Sequence, residues 1–74
     1  MKASYFVTIY RKDDTAVTEL YYTLPGAQAR ALSIVDGATR DWDIVKYGRV
    51  SGSRVDLFDA RVDLFGAFYA MFGR

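Results

Sequence analysis

The sequence predicts a small α+β fold: one compact domain over residues 1–74, with a small antiparallel sheet, element order ββαβα, and a C-terminal amphipathic helix. Three observations carry that prediction. Two runs rich in β-branched and aromatic residues flank a polar "KDDT" turn, the composition of a hairpin. An alanine-rich stretch, "LPGAQARALSIVDG", opens with proline and closes with glycine, as helices do. In the tail, RVDLF occurs twice, seven residues apart, at Arg54–Phe58 and Arg61–Phe65, and FYAMFGR follows as a looser copy.

The elements follow in order. "SYFVTIYR" is the first strand and "AVTELYYTL" the second. An even-length loop at residues 12–15 pairs Tyr5 with Tyr22, Val7 with Leu20 and Ile9 with Thr18 on the core face. Phe6 then pairs with Tyr21, Thr8 with Glu19 and Tyr10 with Val17 on the other, because side chains alternate along a strand. The helix begins at a Thr23 or Leu24 cap, carries Pro25 in its first turn and stops at a left-handed Gly37. Its stripe of Ala27, Ala31, Ile34 and Val35 suits close approach to a sheet. "DWDIVKYGRV" is a third strand, and the Trp42 ring closes one end of the core.

The tail supports two readings. Val55, Phe58, Val62, Phe65, Tyr69 and Phe72 recur at alternating spacings of three and four, an apolar helical seam over residues 54–72 capped by Ser53. Seven residues at 100° each return almost to one direction, so the repeat shows the same helix face again. Leu57, Leu64 and Met71 form a second stripe nearly opposite the seam, the surface for a second copy or a foreign chain. The competing reading makes residues 54–58 a strand after a "VSGS" hairpin turn, with Val55 and Leu57 on one face.

Composition narrows the function. The chain has no cysteine and no histidine, which removes disulfides, thiolate metal sites and the commonest general base and zinc ligand. A net charge of +1 is neither the basic field of a nonspecific DNA binder nor the acidic coat of a DNA mimic. At 51% hydrophobic and 16% aromatic, the chain is globular. The opening lacks the apolar core of a secretory signal, and "LFGAFYAMFG" is too short to span a bilayer. A soluble cytoplasmic protein is expected.

Asp41 and Asp43 flank Trp42, while Asp56, Asp59 and Asp63 line the polar wedge of the expected tail helix. Carboxylates near a helix N-terminus offset its dipole, so a solvated face explains the trio better than a catalytic pair or a metal site. No phosphate loop, nucleophile elbow or metal spacing is present. The expectation is no enzyme, no cofactor and no metal. The sheet face away from the first helix would hold Phe6, Tyr10, Tyr21, Val45, Tyr47 and Arg49, an aromatic platform of the kind that stacks single-stranded nucleic acid. Glu19 in its middle and the near-neutral charge oppose that use, and packing of the tail helix there is the structural alternative.

The strand "MKASYFVTIY", the helix "AQARALSI" and the strand "DIVKYGRV" resemble the layout of small phage-encoded anti-CRISPR proteins. The resemblance covers roughly residues 1–50 and rests on that layout, an opening MKA-x-Y and a QA in the helix. It implies a phage or mobile-element protein in the host bacterial cytoplasm that inhibits a CRISPR surveillance complex without chemistry. The implied partner is a Cas subunit of a type I complex, and the action is to block target DNA or nuclease recruitment. The anchors available for such a surface are Tyr10, Tyr21, Trp42 and Tyr47, beside Arg11, Lys12, Arg40, Lys46 and Arg49. Asp56, Asp59 and Asp63 would form an acidic edge for a basic DNA channel. A single-stranded nucleic-acid module is the second expectation, and a homodimer through Leu57, Leu64 and Met71 the third.

Overall fold

The computed structural model describes residues 3–63. Within them the chain runs β1 (Tyr5–Arg11), β2 (Ala16–Tyr21), α1 (Leu24–Asp36), β3 (Trp42–Ser51) and β4 (Arg54–Val62). The four strands form one antiparallel sheet in the order β2-β1-β3-β4, and α1 packs on one of its faces. The α+β class holds, but the order among the described residues is ββαββ.

The tail expectation is therefore corrected. Residues 54–62 form a strand, the reading that had competed with the helix, and residues 64–72 of the expected helix lie outside the described residues. Gly52 and Ser53 form a two-residue hairpin turn between Ser51 and Arg54, with Gly52 at a φ of 59°. That places a left-handed glycine at the first turn position, where hairpins favour it. Ser53 is thus a turn residue and caps nothing. The register shifts between Tyr47 and Gly48, so Phe58 is an extra residue in β4. A bulge turns an odd spacing into a same-face spacing. Arg54 and Arg61 consequently share one face, and Val55 and Val62 the other. A strand with one bulge satisfies the seven-residue repeat as well as a helix does.

The β1–β2 register is also one residue from expectation. Tyr5 faces Tyr21, Val7 faces Glu19 and Ile9 faces Val17. Asp14 takes a φ of 69°, while Asp14 N–H donates to the Arg11 carbonyl and Arg11 N–H to the Thr15 carbonyl. The loop is a turn closed by one left-handed residue, an odd length that turns every β2 side chain over.

Helix α1 follows its sequence signals at the start. Thr23 is the N-cap, its hydroxyl accepting from Gly26 N–H at 3.2 Å, and Pro25 lies in the first turn. Gly37 is not left-handed; it is extended at a φ of −69°, and its N–H tightens the last turn onto the Ile34 carbonyl. Ala27 and Ala31 are buried against the sheet and let the helix sit close to Val7, Ile9 and Val45. Trp42 completes that cluster at 1% exposure, and Ile34 and Val35 pack beside it.

Candidate functional site

Directly opposed residues in an antiparallel pair share a face, so the register fixes what each side of the sheet presents. On the α1 side lie Tyr5, Val7 and Ile9 from β1 with Tyr21, Glu19 and Val17 from β2. The same side carries Arg49, Tyr47 and Val45 from β3, and Asp59 and Arg61 from β4. Phe58 belongs there too, its ring centroid 6.4 Å from those of both Tyr5 and Tyr47. The opposite side is made of rows that cross the sheet. One is Leu20, Phe6, Gly48 and Leu57; the next is Thr18, Thr8, Lys46 and Ala60; the third is Ala16, Tyr10, Ile44 and Val62. Val50 and Val55 extend it toward the β3–β4 turn.

This opposite face is apolar in effect. Thr8 and Thr18 hydrogen-bond to each other at 3.0 Å, which satisfies the two hydroxyls across the strands. Among its paired residues it holds no carboxylate and one cation, Lys46, whose Nζ lies 5.1 Å from the centroid of the Tyr10 ring. Phe6 is buried, but Leu20 is 62%, Val55 62% and Leu57 55% exposed. Val55 and Leu57 stand together on β4, with Leu20 at the opposite edge of the same face, and exposed apolar side chains grouped on one face mark an interaction site more often than scattered ones do.

The residues expected to bind a partner do not form one patch. Tyr10 and Lys46 lie on the open face, whereas Tyr21, Tyr47 and Arg49 lie on the α1 side. Trp42 is core, so it offers no ring to a partner, and its Nε1 has no hydrogen-bond partner among the described residues. Arg11 and Lys12 sit at the β1–β2 turn. Lys12 and Arg40 meet Asp63 there, with Lys12 Nζ 2.7 Å and Arg40 Nη1 4.0 Å from its carboxylate. Lys12 also donates to the Arg40 carbonyl at 2.6 Å, and the Arg40 guanidinium lies 5.8 Å from the Trp42 centroid. Sequence reasoning had put Asp63 on an exposed acidic edge; it is 5% exposed and closes this end of the sheet. Asp56 and Asp59 belong to β4 and are ion-paired with Arg54 at 3.3 Å and Arg61 at 3.0 Å. Asp56 and Asp59 make a charge-balanced strand and Asp63 lies just beyond it among cations, so the trio is not an acidic edge. Of the expected dimer stripe, Leu57 is on the open face, and Leu64 and Met71 lie outside the described residues.

Glu19, expected on the open face, instead faces α1. Arg30 clasps it through Nε at 2.9 Å and Nη2 at 3.2 Å, and Tyr21 donates its hydroxyl at 2.7 Å. The guanidinium, ahead of the tyrosine, holds the Glu19 carboxyl below its usual range. Burial, followed by donation to Glu19, pushes the Tyr21 hydroxyl up. This network ties the edge strand β2 to the helix and has a structural role.

The open-face residues missed from sequence are Leu20, Ile44, Val55 and Val62. The signal for Leu20 lay in the "KDDT" turn, where Asp is one of the few residues other than glycine that tolerate a left-handed position. Among the described residues no group of three or more Asp or Glu side chains converges on a metal position, and no helix is long and apolar enough to cross a membrane.

No protein-family model, curated protein or solved structure matches the chain.

Proposed function

We propose that this chain is a non-catalytic binding protein that docks a foreign protein on the open face of its sheet. The observation that carries the reading is the face itself: Leu20 on one edge strand and Val55 and Leu57 on the other are more than half exposed, and among the paired residues described this side holds one cation and no carboxylate. Apolar anchors on strands held by a paired sheet gain affinity by leaving water and cost little ordering entropy. The partner is a Cas subunit of a type I surveillance complex, an assignment that rests on the layout resemblance of residues 1–50, and the chain inhibits by occlusion. The nucleic-acid alternative relied on six residues sharing one face, and four of them, Tyr21, Val45, Tyr47 and Arg49, lie on the other.

The test is binding of the purified full chain to a purified type I surveillance complex, measured by interferometry, for wild type, Leu20→Glu and Leu57→Glu. Saturable wild-type binding that both variants lose, with unchanged circular dichroism, supports the reading. Binding that survives in both variants removes the face. Absence of wild-type binding removes the CRISPR partner.

A further inference from the structure

A cleft of 290 Å³ opens where the end of α1 and the Gly37–Asp41 connection meet the end of β1. Ile9 and Ile34 give it an apolar floor, and Arg11, Arg30, Ser33, Thr39 and Asp41 supply the polar lining. It matches the lower end of small-molecule sites, about 300 Å³, so its occupant is small. It is separate from the open sheet face, since Ile9 and Arg30 belong to the side that α1 covers.

The charges around it are divided. Arg30 is already committed to Glu19. The Arg11 guanidinium and the Asp41 carboxylate line the same cleft, and neither makes a hydrogen bond or ion pair with another described residue. They do not pair with each other, so both remain available to a third group. The last turn of α1 carries no basic residue. Its terminal carbonyls therefore add uncompensated negative potential at the Gly37–Asp41 side. A simple anion would meet Asp41 and the helix end, and a simple cation would meet Arg11 and Arg30. A molecule carrying both charges meets a complement for each.

We infer that the cleft binds a small zwitterion, an α-amino acid with an aliphatic side chain. Its carboxylate lies against Arg11, its ammonium against Asp41 and the end of α1, and its side chain against Ile9 and Ile34. Ser33 and Thr39 offer hydroxyls to the remaining polar atoms. Titration of the ¹⁵N-labelled full chain with L-leucine tests this, with leucinamide and N-acetyl-leucine as probes lacking one charge each. Saturable amide shifts at Arg11, Ser33, Thr39 and Asp41 are expected, with a dissociation constant on the order of millimolar for so few atoms. Each probe lacking a charge, and each of Arg11→Gln and Asp41→Asn with L-leucine, should bind about tenfold or more weakly, in proteins whose spectra keep wild-type dispersion. No saturable shift with L-leucine overturns the inference. Equal shifts from N-acetyl-leucine or leucinamide overturn it as well, leaving an apolar or single-charge cleft.

Discussion

Asp14 and Glu19 show how far single residues steer this molecule. Asp14 holds a left-handed conformation at a φ of 69°, which costs any residue with a Cβ and costs glycine little. Asp14→Gly should keep the register and leave stability level or raise it by up to about 1 kcal/mol, whereas Asp14→Val should lower it by about 1–2 kcal/mol. Urea midpoints of the two variants against wild type check this; a stable valine variant would mean that the turn is not the one described. Glu19 adds a pH dependence. Its folded carboxyl lies below the ordinary glutamate value because Arg30 clasps the charged form. The stabilisation is therefore complete above about pH 4.3 and is lost as pH falls through the folded value. The pair is partly exposed, so screening keeps it within about 1 kcal/mol. Between pH 7 and pH ~3 wild type should lose more stability than Glu19→Gln, by up to that amount. Asp13, also lowered, chiefly by its Thr15 hydrogen bonds, is common to both proteins and cancels.

At the scale of elements, β4 depends on a glycine in its neighbour. A Cβ on Gly48 would be driven into the Asp56 carbonyl oxygen, because the Phe58 bulge brings the β4 backbone in against β3. Backbone cannot yield as a side-chain tip does. Gly48→Ala should cost about 1–3 kcal/mol or more, with loss of amide protection concentrated in β3 and β4. An unperturbed melting curve would show that the bulge lies elsewhere. The same element marks the limit of what the sequence disclosed. The hairpin strands, the Thr23 cap, the Ala27–Ala31 stripe and Trp42 were legible because each is a local signal: composition, capping chemistry or periodicity. The tail was not, since a bulged strand and a helix both bring residues seven apart onto one face. The β1–β2 register was not, since the conformation of Asp14 alone decides between two pairings, and one residue of slip sends Glu19 to the helix and Leu20 to water. The candidate face followed that register, so most of it escaped a reading that had paired Glu19 across from Thr8.

For the whole molecule, the sheet's two faces differ in how much large apolar side-chain surface they leave in water. One helix covers one face and buries Val7, Ile9, Val45 and Trp42, while Leu20, Val55 and Leu57 stand on the other in water. A 74-residue chain has a small margin of stability, so an equal deletion at a buried and at an exposed position should have unequal results. Val45 and Val55 make the comparison clean: the same residue, both in strands, at 1% and 62% exposure. Val45→Ala should cost about 1.5–3 kcal/mol from lost burial and the cavity left beneath α1. Val55→Ala should stay within about 0.5 kcal/mol, as exposed substitutions do. In the presence of a saturating partner on the open face the ranking should narrow, because Val55 then becomes part of a buried surface and its loss weakens binding as well as folding. Equal costs in the isolated chain would mean that the face is already covered in solution, and would remove the surface on which docking of a foreign protein depends.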